Sequence, residues 1–132
     1  MTRYVIGPDV VRRLARDGSV VPAGHQLVAP ALLRSQLVSQ LYQAVRRGDM
    51  SKPEADHVLD HMRRLRIRLL GDRVLQAVAW KVADRLDWAD TFTAEYVAVT
   101  QLQADALVTL DADLADAVKD LVRTASFSEL TS

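Results

Sequence analysis

The residues best suited to chemistry stand at junctions between elements. "YVIGPDVV", Tyr4 to Val11, is a β-branched run that breaks at Gly7-Pro8 and restarts as a helix with Asp9 at its beginning. "ALVTLDADLADA" repeats the pattern near the far end, with Asp111 and Asp113 after an apolar run, and Asp90 precedes a further helix start near Thr91. An acid at such a turn can act as a catalytic carboxylate, or it can cap the helix and complement its dipole. His57 and His61 stand four apart beside Asp60, a spacing that suits Zn²⁺, yet no third ligand accompanies them and exposed polar histidines are expected. Ser35 and Ser39 have no His or Asp in a nucleophile turn, so serine-hydrolase chemistry is unsupported. No GxGxxG and no P-loop is present, so nothing signals a phosphate-cradling turn.

Alternating short strands and helices must position these residues. Arg3 to Ile6 reads as a strand, and "DVVRRLARDG" as a helix with Val10, Val11 and Leu14 on one face and Gly18 as its terminator. "QLVAP" is a second strand, stopped by Pro30 and followed by a helix from Ala31 to Arg47 with Leu33, Leu37, Leu41 and Ala44 in register. "SKPEADHVLDHMRRL" opens on a capping box, Ser51 with Glu54 three later. "RIRLL" alternates like a strand, placing Arg66 and Arg68 on one face, where they form either a phosphate track or a charged guard on a sheet edge. Helices over about 73–86 and 91–103, the strand "ALVTL", a short helix after Asp111 and a last strand near Val122 to Ala125 complete the chain. Short strands separated by longer helices predict an α/β fold with a parallel sheet covered on both faces. In such a sheet ligands bind beyond the carboxyl ends of the strands. That rule selects the turns at Gly7 to Asp9, after Pro30, near Thr91 and at Leu110 to Asp113.

Composition bounds the alternatives. A chain of 132 residues, nearly half apolar, fits a single domain over 1–132 that buries about two thirds of its unfolded surface. It has no cysteine, hence neither disulfides nor thiolate metal sites. No apolar run approaches the roughly 20 residues of a membrane helix and no signal-peptide pattern begins the chain, so a soluble cytoplasmic protein without membrane contact is expected. The net charge of zero hides an asymmetry: residues 1–73 carry thirteen basic and seven acidic side chains, residues 74–132 four and ten. Fourteen of the seventeen basic residues are Arg, the side chain best matched to bidentate phosphate or carboxylate recognition. Arg12, Arg13, Arg66 and Arg68 are the candidates for contact with RNA or a partner. Trp80 and Trp88 suit core or dimer packing better than base stacking.

Four segments in order, "YVIGPDVVRRLA", "LVAPALLRSQLVSQLYQAVRRG", "MSKPEADHVLDHMRRLRIRLL" and "TAEYVAVTQLQADALVTLDADLADA", resemble PIN-domain proteins, especially the VapC-type ribonuclease toxins of toxin–antitoxin pairs. The resemblance spans most of the chain. It implies a three-layer α/β/α sandwich with a central parallel sheet, a ribonuclease using three or four carboxylates to hold Mg²⁺ or Mn²⁺, a homodimer, and an antitoxin that masks the site. Carried over residue by residue, the first family acid falls on Gly7, the second on Gln36 and the third on Thr93. Asp111 alone survives, with Asp113 close behind.

Each lost carboxylate forfeits an attraction of about 4 kcal/mol per charge pair at about 4 Å and an effective dielectric near 20. Gln36 keeps an oxygen without charge, Thr93 a weak hydroxyl and Gly7 nothing. A rebuilt metal site would have to draw on Asp9, Asp90, Asp111 and Asp113, while Glu95, two positions beyond Thr93, is expected to face solvent. The expectation is therefore a VapC-like protein with a weak or inactive site that retains dimerisation and partner or RNA binding. The alternative is an active Mg²⁺- or Mn²⁺-dependent endoribonuclease using the four displaced acids.

Overall fold

The computed structural model describes all residues from 1 to 132. Strand β1 (Thr2–Val5) runs into Gly7 in extended conformation, and Pro8, whose fixed φ suits a first helical turn, opens α1 (Pro8–Asp17). Gly18, left-handed at φ 62°, closes that helix by donating its N–H to the Leu14 carbonyl. Strand β2 (His25–Pro30) leads to α2 (Leu32–Arg46) and α3 (Lys52–Arg64), the latter opened by the expected capping box. In it the Glu54 N–H donates to Ser51 Oγ at 3.2 Å and the Ser51 N–H to Glu54 Oε1 at 3.1 Å. Strand β3 (Arg68–Leu70), α4 (Arg73–Arg85), α5 (Phe92–Gln103), β4 (Ala106–Val108), α6 (Ala112–Val118), β5 (Thr124–Ala125) and α7 (Phe127–Thr131) follow.

The five strands form one parallel sheet in the order β3-β2-β1-β4-β5. Helices α1, α2 and α3 pack on one another, while α5 lies against β1, β2 and β4 with α4 outside it. This is the three-layer α/β/α sandwich that the alternation of elements predicts. The core is continuous through the sheet, and α5 is its most enclosed helix, burying Ala94 and every residue from Tyr96 to Thr100.

Three expectations shift. Strand β1 spans Thr2–Val5 rather than Arg3 to Ile6, although Ile6 is fully buried. "RIRLL" supplies only three strand residues, because Arg66 adopts φ 53° and breaks the alternation before the strand begins. Arg66 and Arg68 therefore do not share a strand face. Trp80 is 69% exposed on α4 and takes no part in the core, whereas Trp88 packs against it half-buried.

The C-terminal segment closes against the first elements. Tyr4 Oη donates to Glu129 Oε2 at 2.8 Å, Arg123 Nη2 donates to the same carboxylate at 2.7 Å, and His25 Nδ1 lies 2.9 Å from the Leu130 carbonyl oxygen. The Arg13 guanidinium stacks 4.2 Å from the Phe127 ring centroid, and Leu130 is completely buried.

Candidate functional site

The sheet order reverses between β1 and β4: the chain moves outward from β1 through β2 to β3, then crosses back to β4. The carboxyl ends of β1 and β4 therefore flank the crevice where ligands of open α/β sheets bind. Gly7 follows β1 there and Asp111 follows β4, so the selected turns lie where the sequence places them.

Gly7 leaves room that neighbours use. A Cβ built on it would come 3.3 Å from Asp9 Oδ1 and 3.7 Å from Tyr96 Cε1. Asp9 thus folds back toward the position that Gly7 leaves open, but the same Oδ1 accepts the Val10 N–H at 2.9 Å. Tyr96, on the buried side of α5, reaches past Gly7 to α2 and donates its hydroxyl to Gln36 Oε1 at 2.6 Å. Burial pushes the Tyr96 hydroxyl far above its ordinary pKa, and the Glu95 and Asp9 carboxylates push it further, so the phenol stays a neutral donor. Burial also raises the Glu95 carboxyl, which is half-buried rather than solvent-facing as expected from its offset to Thr93.

The remaining acids gather a short way off. Asp90, Thr93, Asp111 and Asp113 line one shallow cleft of about 430 Å³ with Trp88 and Leu114, and Asp9 is not among its walls. Asp111 is the N-cap of α6, its Oδ1 accepting the Asp113 N–H at 2.9 Å and the Leu114 N–H at 3.2 Å. Asp90 Oδ1 accepts the Phe92 N–H at 3.1 Å at the head of α5. No three His, Asp or Glu side chains are grouped to hold a metal ion.

The four-acid site anticipated from Asp9, Asp90, Asp111 and Asp113 is therefore not assembled. Backbone amides at helix starts bond to Asp9, Asp90 and Asp111, Asp9 stands apart beside Tyr96, and the Asp113 carboxylate accepts no hydrogen bond. The donor set at the positions that the resemblance singles out does not fit Mg²⁺ or Mn²⁺ either, since these ions want several charged oxygens in near-octahedral order. Gly7 offers no ligand, the Gln36 oxygen is engaged by Tyr96, Thr93 is neutral, and the single acid Asp111 already serves two amides.

The basic candidates also divide. Arg66 and Arg68 line a cleft at the amino ends of β1, β2 and β3. Arg13 is occupied by Phe127 and by Asp17 at 3.4 Å, and Arg12 sits half-buried in a separate groove beside Glu54 and His57. The four do not form one phosphate track. His57 Nε2 lies 3.3 Å from the Ala15 carbonyl oxygen, which gives that ring a structural use, and His61 is half-buried rather than exposed.

Two features escaped sequence reasoning: the Tyr96–Gln36 bond and the gathering of Arg3 with the Arg64, Arg66 and Arg68 cluster. The first left a trace. Tyr96 lies three residues after Thr93, hence on the same side of its helix, and Gln36 is the position that the resemblance sets opposite it.

The fold has a solved counterpart. The crystal structure of PAE2754 from Pyrobaculum aerophilum is similar with a TM-score of 0.77 at 19% sequence identity, over 98% of this chain and 93% of that one. At that identity the likeness shows the architecture alone. No family model matches the chain, and no curated protein matches it in sequence.

Proposed function

We propose that this chain is a VapC-like PIN-domain protein of a toxin–antitoxin type system that has lost nuclease chemistry and acts by binding. The Tyr96–Gln36 bond beside Gly7 carries the proposal. Where the resemblance calls for charged oxygens, a neutral phenol and a neutral amide satisfy each other, which removes both the attraction for a divalent cation and the base that would activate water.

Binding is supported by the surface. Along α2 a groove is lined by Ala31, Val38 and Tyr42, and Tyr42 is 62% exposed. On α4, Val74 and Trp80 are likewise exposed. Aromatic side chains presented in this way suit the anchor points of a protein interface. These faces are offered to a second copy, as a homodimer, and to an antitoxin-like peptide. Such a peptide anchors on the apolar contacts, with Asp9 and Glu95 beside Tyr96 as the acids left for an arginine.

A second reading has one observation in its favour: Asp90, Asp111 and Asp113 share a cleft with Thr93. On that reading the protein remains a weak Mg²⁺- or Mn²⁺-dependent endoribonuclease. The two separate in one experiment, in which purified protein is incubated with structured RNAs and Mn²⁺. The binding proposal expects intact RNA. Metal-dependent cleavage that disappears in Asp111→Asn, a substitution that keeps a good N-cap, establishes the second reading and overturns the first.

A further inference from the structure

At the opposite end of the sheet the amino ends of β1, β2 and β3 form a second concavity of about 590 Å³, walled by the loop between α1 and β2 and by the last turn of α3. Arg3, Arg64, Arg66 and Arg68 line it, and no Asp or Glu does. None of these four guanidiniums takes part in an ion pair; Arg12, Arg34, Arg46, Arg73 and Arg85 are unpaired as well, and what sets the four apart is that they line one concavity. Asp105 accepts the backbone N–H of Arg3 at 2.8 Å and lines the neighbouring cleft, to which Arg3 also belongs.

Gathering four like charges without a counter-charge costs electrostatic energy, and an anion between them reverses that cost. The left-handed turn at Arg66 takes part in this gathering, because it ends the helix side of the cleft and starts the short strand that carries Arg68. His61 adds a buried Nε2 with no hydrogen-bond partner to the same wall. The facing wall is apolar. Val20, 78% exposed, stands there with Val21 and Pro22.

We propose that this cleft binds the phosphomonoester of a nucleotide, either free or at the 5′ end of an RNA strand. A terminal phosphate carries about −1.5 to −2 charges at neutral pH and three acceptor oxygens, which several planar guanidinium forks satisfy better than one ammonium would. The apolar wall receives the base or sugar, and the volume lies within the range of small-ligand sites. The proposal is independent of whether the acidic end of the sheet cuts RNA.

Calorimetry on the full chain tests it, using AMP, adenosine, and an oligoadenylate hexamer with either a 5′-phosphate or a 5′-hydroxyl. AMP or the 5′-phosphorylated hexamer is expected to bind with a dissociation constant below about 1 mM, and adenosine and the 5′-hydroxyl hexamer at least about tenfold more weakly. Binding of AMP assigns the free nucleotide, and binding of the phosphorylated hexamer alone assigns the RNA end. Arg64→Glu with Arg68→Glu should weaken binding at least about tenfold, while Arg34→Ala with Arg46→Ala on α2 should leave it unchanged, circular dichroism confirming that both variants fold. The proposal is overturned if neither phosphorylated probe binds, if the Glu variant binds as tightly as the parent, or if the 5′-hydroxyl hexamer binds as well as the phosphorylated one.

Discussion

At the carboxyl ends of the strands, Asp9, Asp90 and Asp111 each accept a backbone N–H, whereas at the amino ends Arg3, Arg64, Arg66 and Arg68 have no acid to pair with. The two ends of one sheet thus put charge to opposite uses. A carboxylate held by a helix terminus contributes to folding and has part of its acceptor capacity already filled. A guanidinium without a partner contributes little to folding and keeps its full donor set for a ligand. Position in the fold says where a site belongs, and the hydrogen-bond account of each charged group says whether it is free to act.

The contrast is most exposed at Tyr96. Truncation by Tyr96→Ala should cost about 3–5 kcal/mol through cavity formation and the orphaned Gln36 oxygen. Tyr96→Phe, which removes only the hydroxyl, should cost about 1 kcal/mol, and urea unfolding measures both. A neutral Tyr96→Phe would mean that the bond does not knit the carboxyl end together.

A smaller difference compares the two kinds of charge directly. Asp111→Ala removes an N-cap that accepts two amides and should destabilise by about 1 kcal/mol, while Arg64→Ala should stay within about 0.5 kcal/mol. The reverse ranking would break the distinction between committed acids and free arginines.

The smallest expected effects are opposite in sign with pH. Burial raises the Glu95 carboxyl above its ordinary 4.5, so its share of stability is present when it is protonated and is lost as pH rises through that raised value. Arg123 and Tyr4 hold Glu129 below 4.5, so its share is present above 4.5 and is lost as pH falls through the lowered value. Thermal unfolding should therefore show Glu95→Gln raising Tm and Glu129→Gln lowering it near about pH 7, with both differences fading below the respective folded-state values.

Much of this arrangement is legible in local sequence. The capping box at Ser51 and Glu54, Pro8 at a helix start, Gly18 at a helix end and the Leu33–Leu37–Leu41 stripe all form as their spacing dictates, because each depends on residues within a turn or two. Strand β3 is shorter than "RIRLL" suggests, since the left-handed Arg66 is imposed by the connection from α3 and not by alternation. At the site, Asp9, Asp90 and Asp111 are recognisable as candidates, but the caps expected at Asp9 and Asp90 do not form: Gly7 and Thr91 are the N-caps of α1 and α5, and of the three Asp111 alone caps a helix. The Tyr96–Gln36 bond joins positions 60 residues apart, and the arginine cleft gathers Arg3 with residues more than 60 positions away. Pairings of that kind depend on how the layers stack, which no short window contains.

The contact between Tyr4 and Glu129 spans 125 positions and is flanked by Arg13 on Phe127 and His25 on Leu130. Long-range closure of this kind slows folding relative to local pairing, because the loop entropy is lost before the contacts are gained. Without residues 127–130, Tyr4 would lose its carboxylate acceptor, Arg13 its aromatic cover and His25 its carbonyl partner, so three separate early elements share one fastening.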